Sequence, residues 1–300
     1  MRSEDLLLLR KQIEENPYSA DLAVMRASHE AAGQFPLPSD VRVEAFQLAG
    51  LSAERHTNTR ARRPGVIFYL HGGGYVTGSL NTHRYYVAEL TRQSGLDAVA
   101  IDYRLAPENP YPAAIEDAVR AYRSLIQEYA PDSIVIAGDS AGAGLLMATL
   151  LSVRDQNVAQ PACAYCVSPW VDLEVTGASI ETKADEDPMV RKDLLLSTAK
   201  NYLGTVDPRT PLASAIHADL SGLPPLLIQV GSAEMLLDDS TRLAAVAGAA
   251  GVQVQLEIWP DMIHTWPVFY PVLADGTKAI TKAVDFMLAT LEGRSVTQSA

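Results

Sequence analysis

Two glycine-rich stretches hold the residues of this chain whose types and spacing suit chemistry. Gly138-Asp139-Ser140-Ala141-Gly142 sets a serine in a G-x-S-x-G pattern. Such a serine becomes a nucleophile when it stands on a sharp strand-to-helix turn, with the free N–H groups of a helix start beside it. The flanks predict that turn: Ile134-Val135-Ile136-Ala137 reads as a buried strand, and the residues from Ala143 to Ala148 as a helix. Upstream, His71-Gly72-Gly73-Gly74-Tyr75 closes another apolar run. Its glycines leave the backbone uncovered, so the amides of Gly73 and Gly74, with that of Ala141, are candidates for holding an oxyanion. A plain glycine turn would not explain both stretches at the ends of successive strands. The chemistry implied is attack of Ser140 on a carbonyl carbon. Asp139 is not a partner for that serine, because adjacent residues in a tight elbow diverge; it is expected to brace neighbouring loops.

The elements that must position these residues follow from the hydrophobic pattern. Short apolar runs at 66–70, 98–101, 134–137, 163–167, 226–230 and 254–258 suit strands buried on both faces. Helical stretches lie between most of them; at 113–129, Ile115, Ala118, Val119, Tyr122 and Ile126 form one apolar stripe. This alternation predicts βαβ units and a doubly wound α/β sheet. The alternating segment from Val41 to Phe46 predicts a half-exposed antiparallel strand. The first 33 residues read as helices broken at Asn16-Pro17. The interval from about 170 to 225 is too long for a simple crossover. Its acidic run Asp185-Glu186-Asp187 and the helical 191–203 suggest an insertion lying over the sheet. The tail after Gly293 is polar and is expected to be loose.

Composition removes several function classes. The formal net charge of −12 argues against nucleic acid or an anionic membrane as a partner, since both need clustered positive charge. The run Leu6-Leu7-Leu8-Leu9 is hemmed in by Glu4, Asp5, Arg10 and Lys11, too short for a leader or a bilayer span. A cytoplasmic location is the expectation. Cys163 and Cys166 form a C-x-x-C, but on a strand this offset puts the two side chains on opposite faces, and no second pair completes a zinc site. No metal or organic cofactor is implied.

These residues resemble the hormone-sensitive-lipase-like (family IV) carboxylesterases of the α/β-hydrolase fold, over roughly residues 64 to 290. The resemblance includes Asp102-Tyr103-Arg104-Leu105-Ala106-Pro107-Glu108, Ser168-Pro169-Trp170-Val171-Asp172, Asp207-Pro208-Arg209 and Leu223-Pro224-Pro225. It implies a mostly parallel central sheet flanked by helices, in a catalytic domain spanning 41–294. It also implies a helical cap, formed by residues 1–40 and an insertion at about 180–210. Asp102 with Arg104, and Glu108, read as a structural network.

The base is expected on a loop beyond the last strand. Of His29, His56, His71, His83, His217 and His264, only His264 lies there. His71 reads as a structural hydrogen-bonder. The resemblance places the acid in Gly231-Ser232-Ala233-Glu234-Met235-Leu236-Leu237-Asp238, where the family's aspartate matches Glu234 and its proline matches Met235. Glutamate serves, because the third member only orients the imidazole and stabilises its charge. Asp238 is the rival, one helical turn further on, where an aspartate more often caps a helix.

The function implied is a serine carboxylesterase acting on short- to medium-chain acyl esters through an acyl-enzyme. The alternatives are a deacetylase of a sugar or drug-like ester with the same triad, and a non-catalytic small-molecule binder on the same scaffold. Tyr75, Trp170, Met189, Met262 and Trp266 are candidate pocket walls, each with an equal claim as core. An edge strand at 254–258 and the helix at 277–291 are candidates for pairing two copies in a homodimer.

Overall fold

The computed structural model describes residues 2–297. Eight strands form one sheet: β1 (Val41–Leu48), β2 (Leu51–Asn58), β3 (Val66–Leu70), β4 (Asp97–Ile101), β5 (Ile134–Asp139), β6 (Cys163–Val167), β7 (Leu226–Gly231) and β8 (Val254–Trp259). Their spatial order is β1-β2-β4-β3-β5-β6-β7-β8. β1 and β2 pair antiparallel, β2 runs antiparallel to β4, and every pairing from β4 to β8 is parallel. The helices are α1 (Glu4–Glu15), α2 (Leu22–Ala32), α3 (Leu80–Ser94), α4 (Ala113–Leu125), α5 (Ala141–Asp155), α6 (Ser179–Thr182), α7 (Lys192–Leu203), α8 (Leu237–Ala249) and α9 (Ala274–Thr297).

The two-residue period of a strand divides the core into two layers. Val66, Phe68 and Leu70 of β3 face one apolar cluster, together with α4, α5 and α8. Ile67 and Tyr69 face the other, with α3 and α9. Cys166 and Cys163 divide in the same way between the two layers. Each fully buried aliphatic side chain in these layers contributes about 1.5–3 kcal/mol. A third cluster joins Leu6 and Leu9 of α1 to Met262, Ile263, Trp266 and Leu273.

Several details differ from expectation. β2 has no counterpart among the strands read from the sequence. It pairs with β1 across Ala49-Gly50, both at positive φ (50° and 81°), as a two-residue hairpin turn requires. Arg104 is held by Asp117 at 2.9 Å and Glu116 at 3.0 Å instead of by Asp102. α9 continues past Gly293 to Thr297, so the tail expected to be loose is helical there; residues 298–300 lie outside the described residues. No helix among the described residues is long and apolar enough to cross a membrane.

Candidate active site

β5 ends at Asp139 and α5 begins at Ala141, which leaves Ser140 alone between them at φ 51°, ψ −121°. A non-glycine residue there costs about 1–3 kcal/mol and persists only where the surroundings enforce it. The turn passes so close under the end of β3 that a Cβ on Gly142 would lie 2.1 Å from the Leu70 carbonyl oxygen. Glycine is therefore a packing requirement at that position. The Ser140 amide donates to Val167 O at 2.8 Å, while the next amide, that of Ala141, opens the helix.

The glycine loop after β3 faces this helix start. Gly73 adopts φ 117°, and a Cβ on it would meet Thr77 O at 2.2 Å. Neither the Gly73 nor the Gly74 amide donates to an acceptor among the described residues. The loop is tied to the elbow by Asp139, whose Oδ1 accepts from Gly72 N–H at 2.9 Å and Tyr69 O–H at 2.6 Å. Burial opposes that charge, but His83 and these donors overcome it and hold the carboxyl down at about 2. His71 stacks on Tyr103 with ring centroids 4.2 Å apart, and burial pushes its pKa down to about 3, so it is neutral.

His264 Nε2 lies 3.0 Å from Ser140 Oγ, and His264 Nδ1 lies 2.9 Å from Glu234 Oε2. Glu234 is fully buried, and its Oε1 accepts from Gly231 N–H at 2.5 Å and Ser168 O–H at 2.7 Å. Burial pushes the Glu234 carboxyl up, opposed by His264 and the Gly231 N–H. Burial alone would lower the His264 pKa; the hydrogen bond and charge of Glu234 outweigh it, and the net shift is upward from 6.5. Asp238 is elsewhere. Its Oδ2 accepts the Ser179 N–H at 2.9 Å, so it binds α6 and not the histidine.

Residues 67–268 match the Abhydrolase_3 family, described as the alpha/beta hydrolase fold. The chain belongs to this α/β-hydrolase family. The hydrolase is 42% identical over 303 residues to an acetyl-hydrolase of Streptomyces hygroscopicus, covering 98% of this chain and 99% of that one. It is 35% identical over 254 residues to an esterase of Acinetobacter venetianus, covering 84% of each. A crystal structure of EstE5 soaked with p-nitrophenyl butyrate superposes with a TM-score of 0.93 at 44% identity, covering 97% of this chain and 100% of that one. An esterase of the bacterial hormone-sensitive lipase family superposes at 0.94 with 42% identity, covering 97% and 99%.

In the hydrolase a cavity of about 720 Å³ opens above Ser140 and His264. Its roof comes from α1 (Leu9, Ile13), α2 (Met25, His29) and α7 (Leu195, Thr198). Of the five candidate wall residues, Trp170 and Met189 line it. Tyr75, Met262 and Trp266 do not. Tyr75 is 2% exposed and stacks on Tyr202 at 3.9 Å, while Met262 and Trp266 fill the cluster beneath α1. Their aromatic and thioether side chains are spent on core packing. A hollow of similar volume along β8 and α9, lined by Gln255, Glu257, Lys282 and Phe286, lies away from Ser140.

Ser168 was not singled out by its side chain in the sequence. Its hydroxyl accepts from Thr265 N–H at 3.0 Å while donating to Glu234, so it joins the loops of the acid and the histidine. Its position at the carboxyl end of β6 is the signal, because ligands of open α/β sheets bind beyond the carboxyl ends of the strands.

Proposed function

We propose that this carboxylic ester hydrolase cleaves short- to medium-chain acyl esters through an acyl-enzyme on Ser140. His264 takes the Ser140 proton as Oγ attacks the ester carbonyl carbon. The oxyanion settles on the amides of Gly73, Gly74 and Ala141. His264, oriented by Glu234, then protonates the departing alcohol. Water, deprotonated by His264, releases the acid by the same route. Each oxyanion donor is worth about 2.7–4 kcal/mol in the transition state, so the glycine loop matters as much as the charged residues.

The observation that carries this reading is the unbroken line from Ser140 Oγ through His264 to Glu234, at 3.0 and 2.9 Å. A 720 Å³ cavity with Met25, Leu195 and Val268 in its walls supports acyl groups of modest length. The test is a panel of nitrophenyl esters from two to sixteen carbons on the wild type, Ser140→Ala, Glu234→Ala and Asp238→Ala. Turnover should fall towards the longest chains and vanish in Ser140→Ala. Retained turnover in that variant would sink the reading.

The alternative, deacetylation of a polar ester, is favoured by the Streptomyces relative's name and by Ser28, His29 and Thr77 in the cavity wall. Higher kcat/KM on acetylated sugars than on alkyl acetates would select it. A cytoplasmic location belongs to the same proposal, supported by burial of Leu6 and Leu9 of the apolar run against Met262, Ile263 and Trp266. So does a homodimer through the outer edge of β8, which size-exclusion chromatography tests.

A further inference from the structure

The acidic run before Pro188 has no part in the reaction as written above, yet its last member is buried. Asp187 Oδ1 accepts from Met189 N–H at 2.9 Å and Val190 N–H at 3.0 Å, two residues of the cavity wall. Its Oδ2 accepts from Met235 N–H at 2.8 Å, the amide directly after Glu234. We propose that Asp187 is a positioning residue that fastens the Glu234 loop to the cavity wall and so keeps Glu234 on His264. This rests on Glu234 being the triad acid.

The physical case begins with the loop itself. Glu234 reaches His264 from a short turn between β7 and α8, whose backbone is tied ahead of the acid by Ser232 N–H to Trp259 O at 2.9 Å and Ala233 N–H to Met262 O at 3.2 Å. Gly231 and Ser168 hold its carboxylate, and the chain beyond it needs anchors of its own, of which the Ser179 O–H donating to Met235 O at 2.6 Å is the first. Asp187 supplies another with a charge-assisted bond in a buried setting, about twice the strength of a neutral one. The anchor is itself held from α1: the buried Arg10 donates Nη2 to Glu186 O at 2.6 Å, and its charge attracts Asp187. A chain of contacts thus runs from the N-terminal helix through 186–187 to Met235, Glu234 and His264.

The same placement has an electrostatic consequence. The ionised groups facing His264 are Glu234 from the loop after β7, Asp187 from the segment before α7, and Asp139 from the end of β5. Each favours the imidazolium. Removing the Asp187 charge therefore eases proton loss from His264, and the acid limb of the pH profile moves to lower pH. A purely structural loss would leave the limb in place.

The experiment compares full-length wild type with Asp187→Ala, Asp187→Asn, Asp185→Ala and Glu234→Ala. It measures kcat, KM, the kcat/KM pH profile on a nitrophenyl butyrate, and Tm. Asp187→Ala is expected to lose about 10- to 100-fold in kcat, as a misplaced reacting geometry does, with KM less affected. Its acid limb should move to lower pH. Asp187→Asn, of the same size, should show the same limb shift and carries the test if Asp187→Ala does not fold. The exposed Asp185→Ala should match wild type.

Wild-type kcat with an unmoved limb in either folded Asp187 variant would overturn the proposal. So would a loss of kcat explained wholly by less folded protein, with the limb unmoved. An active Glu234→Ala would remove the reading of the acid, and this proposal with it. An inactive Glu234→Ala beside fully active Asp187 variants overturns only the role of Asp187.

Discussion

Ser168 donates a hydrogen bond of 2.7 Å to Glu234 Oε1, on the carboxylate oxygen that does not face His264. The same hydroxyl accepts from Thr265 N–H, so one side chain sets the distance between acid and base. Ser168→Ala leaves the buried carboxylate short of one donor and should cost about 1–3 kcal/mol of stability. It should also lower kcat/KM by roughly tenfold, since the imidazole is less firmly held. Denaturant titration and steady-state kinetics on one preparation test both parts.

Glu234 and Asp238 are separated by what they touch. Glu234→Gln keeps the shape but loses the charge that stabilises the imidazolium; kcat should fall about 10³–10⁴-fold, the loss seen when a triad carboxylate becomes an amide. Asp238→Ala removes the bond to Ser179 N–H and should lower Tm while kcat stays near wild type. A dead Asp238→Ala beside an active Glu234→Gln would reverse the assignment.

The pH profile follows from the sign of the His264 shift. The base works only when neutral, and the charge of Glu234 raises its pKa above 6.5 against the effect of burial. The acid limb of kcat/KM should therefore have its midpoint above 6.5, with activity rising as pH increases through it. Glu234→Gln removes the charge that raises it, so its residual activity should titrate at lower pH. A midpoint below 6.5 in the wild type would contradict the geometry.

The roof of the cavity rests on polar pins. α2 carries no fully buried residue. Arg26 nevertheless donates to Glu108 at 2.7 and 2.8 Å, to Val76 O at 2.7 Å and to Ala106 O at 2.9 Å. Arg26→Ala should loosen the wall that bears Met25 and His29, raising KM several-fold with kcat little changed. Salt should raise the wild-type KM in the same direction, since exposed charges are screened. Kinetics across a salt series decides it.

The sheet was largely legible because strands buried on both faces need only short continuous apolar runs, which stand out locally. β2 was not. Its Glu54 and His56 are buried, made tolerable by Arg84, which reaches Glu54 from α3 at 2.6 Å. A charge neutralised across the fold looks like a surface charge in the sequence. The same limit hid Arg104's choice of Asp117 over Asp102, and it left Tyr75, Met262 and Trp266 undivided between wall and core.

The sequence by itself determined the local devices: the serine between glycines, the uncovered loop at Gly73 and Gly74, and the one histidine beyond the last strand. Those are backbone and chain-order properties, and they act over a few residues. The sequence favoured Glu234 over Asp238 as the acid but kept both open, and it is the tertiary structure that decides which of them meets that histidine. Glu234 and Asp238 are four positions apart in the chain, yet one lies 2.9 Å from His264 while the other turns to Ser179. The direction each side chain takes is set by the packing of β7, α6 and α8, which no local pattern encodes.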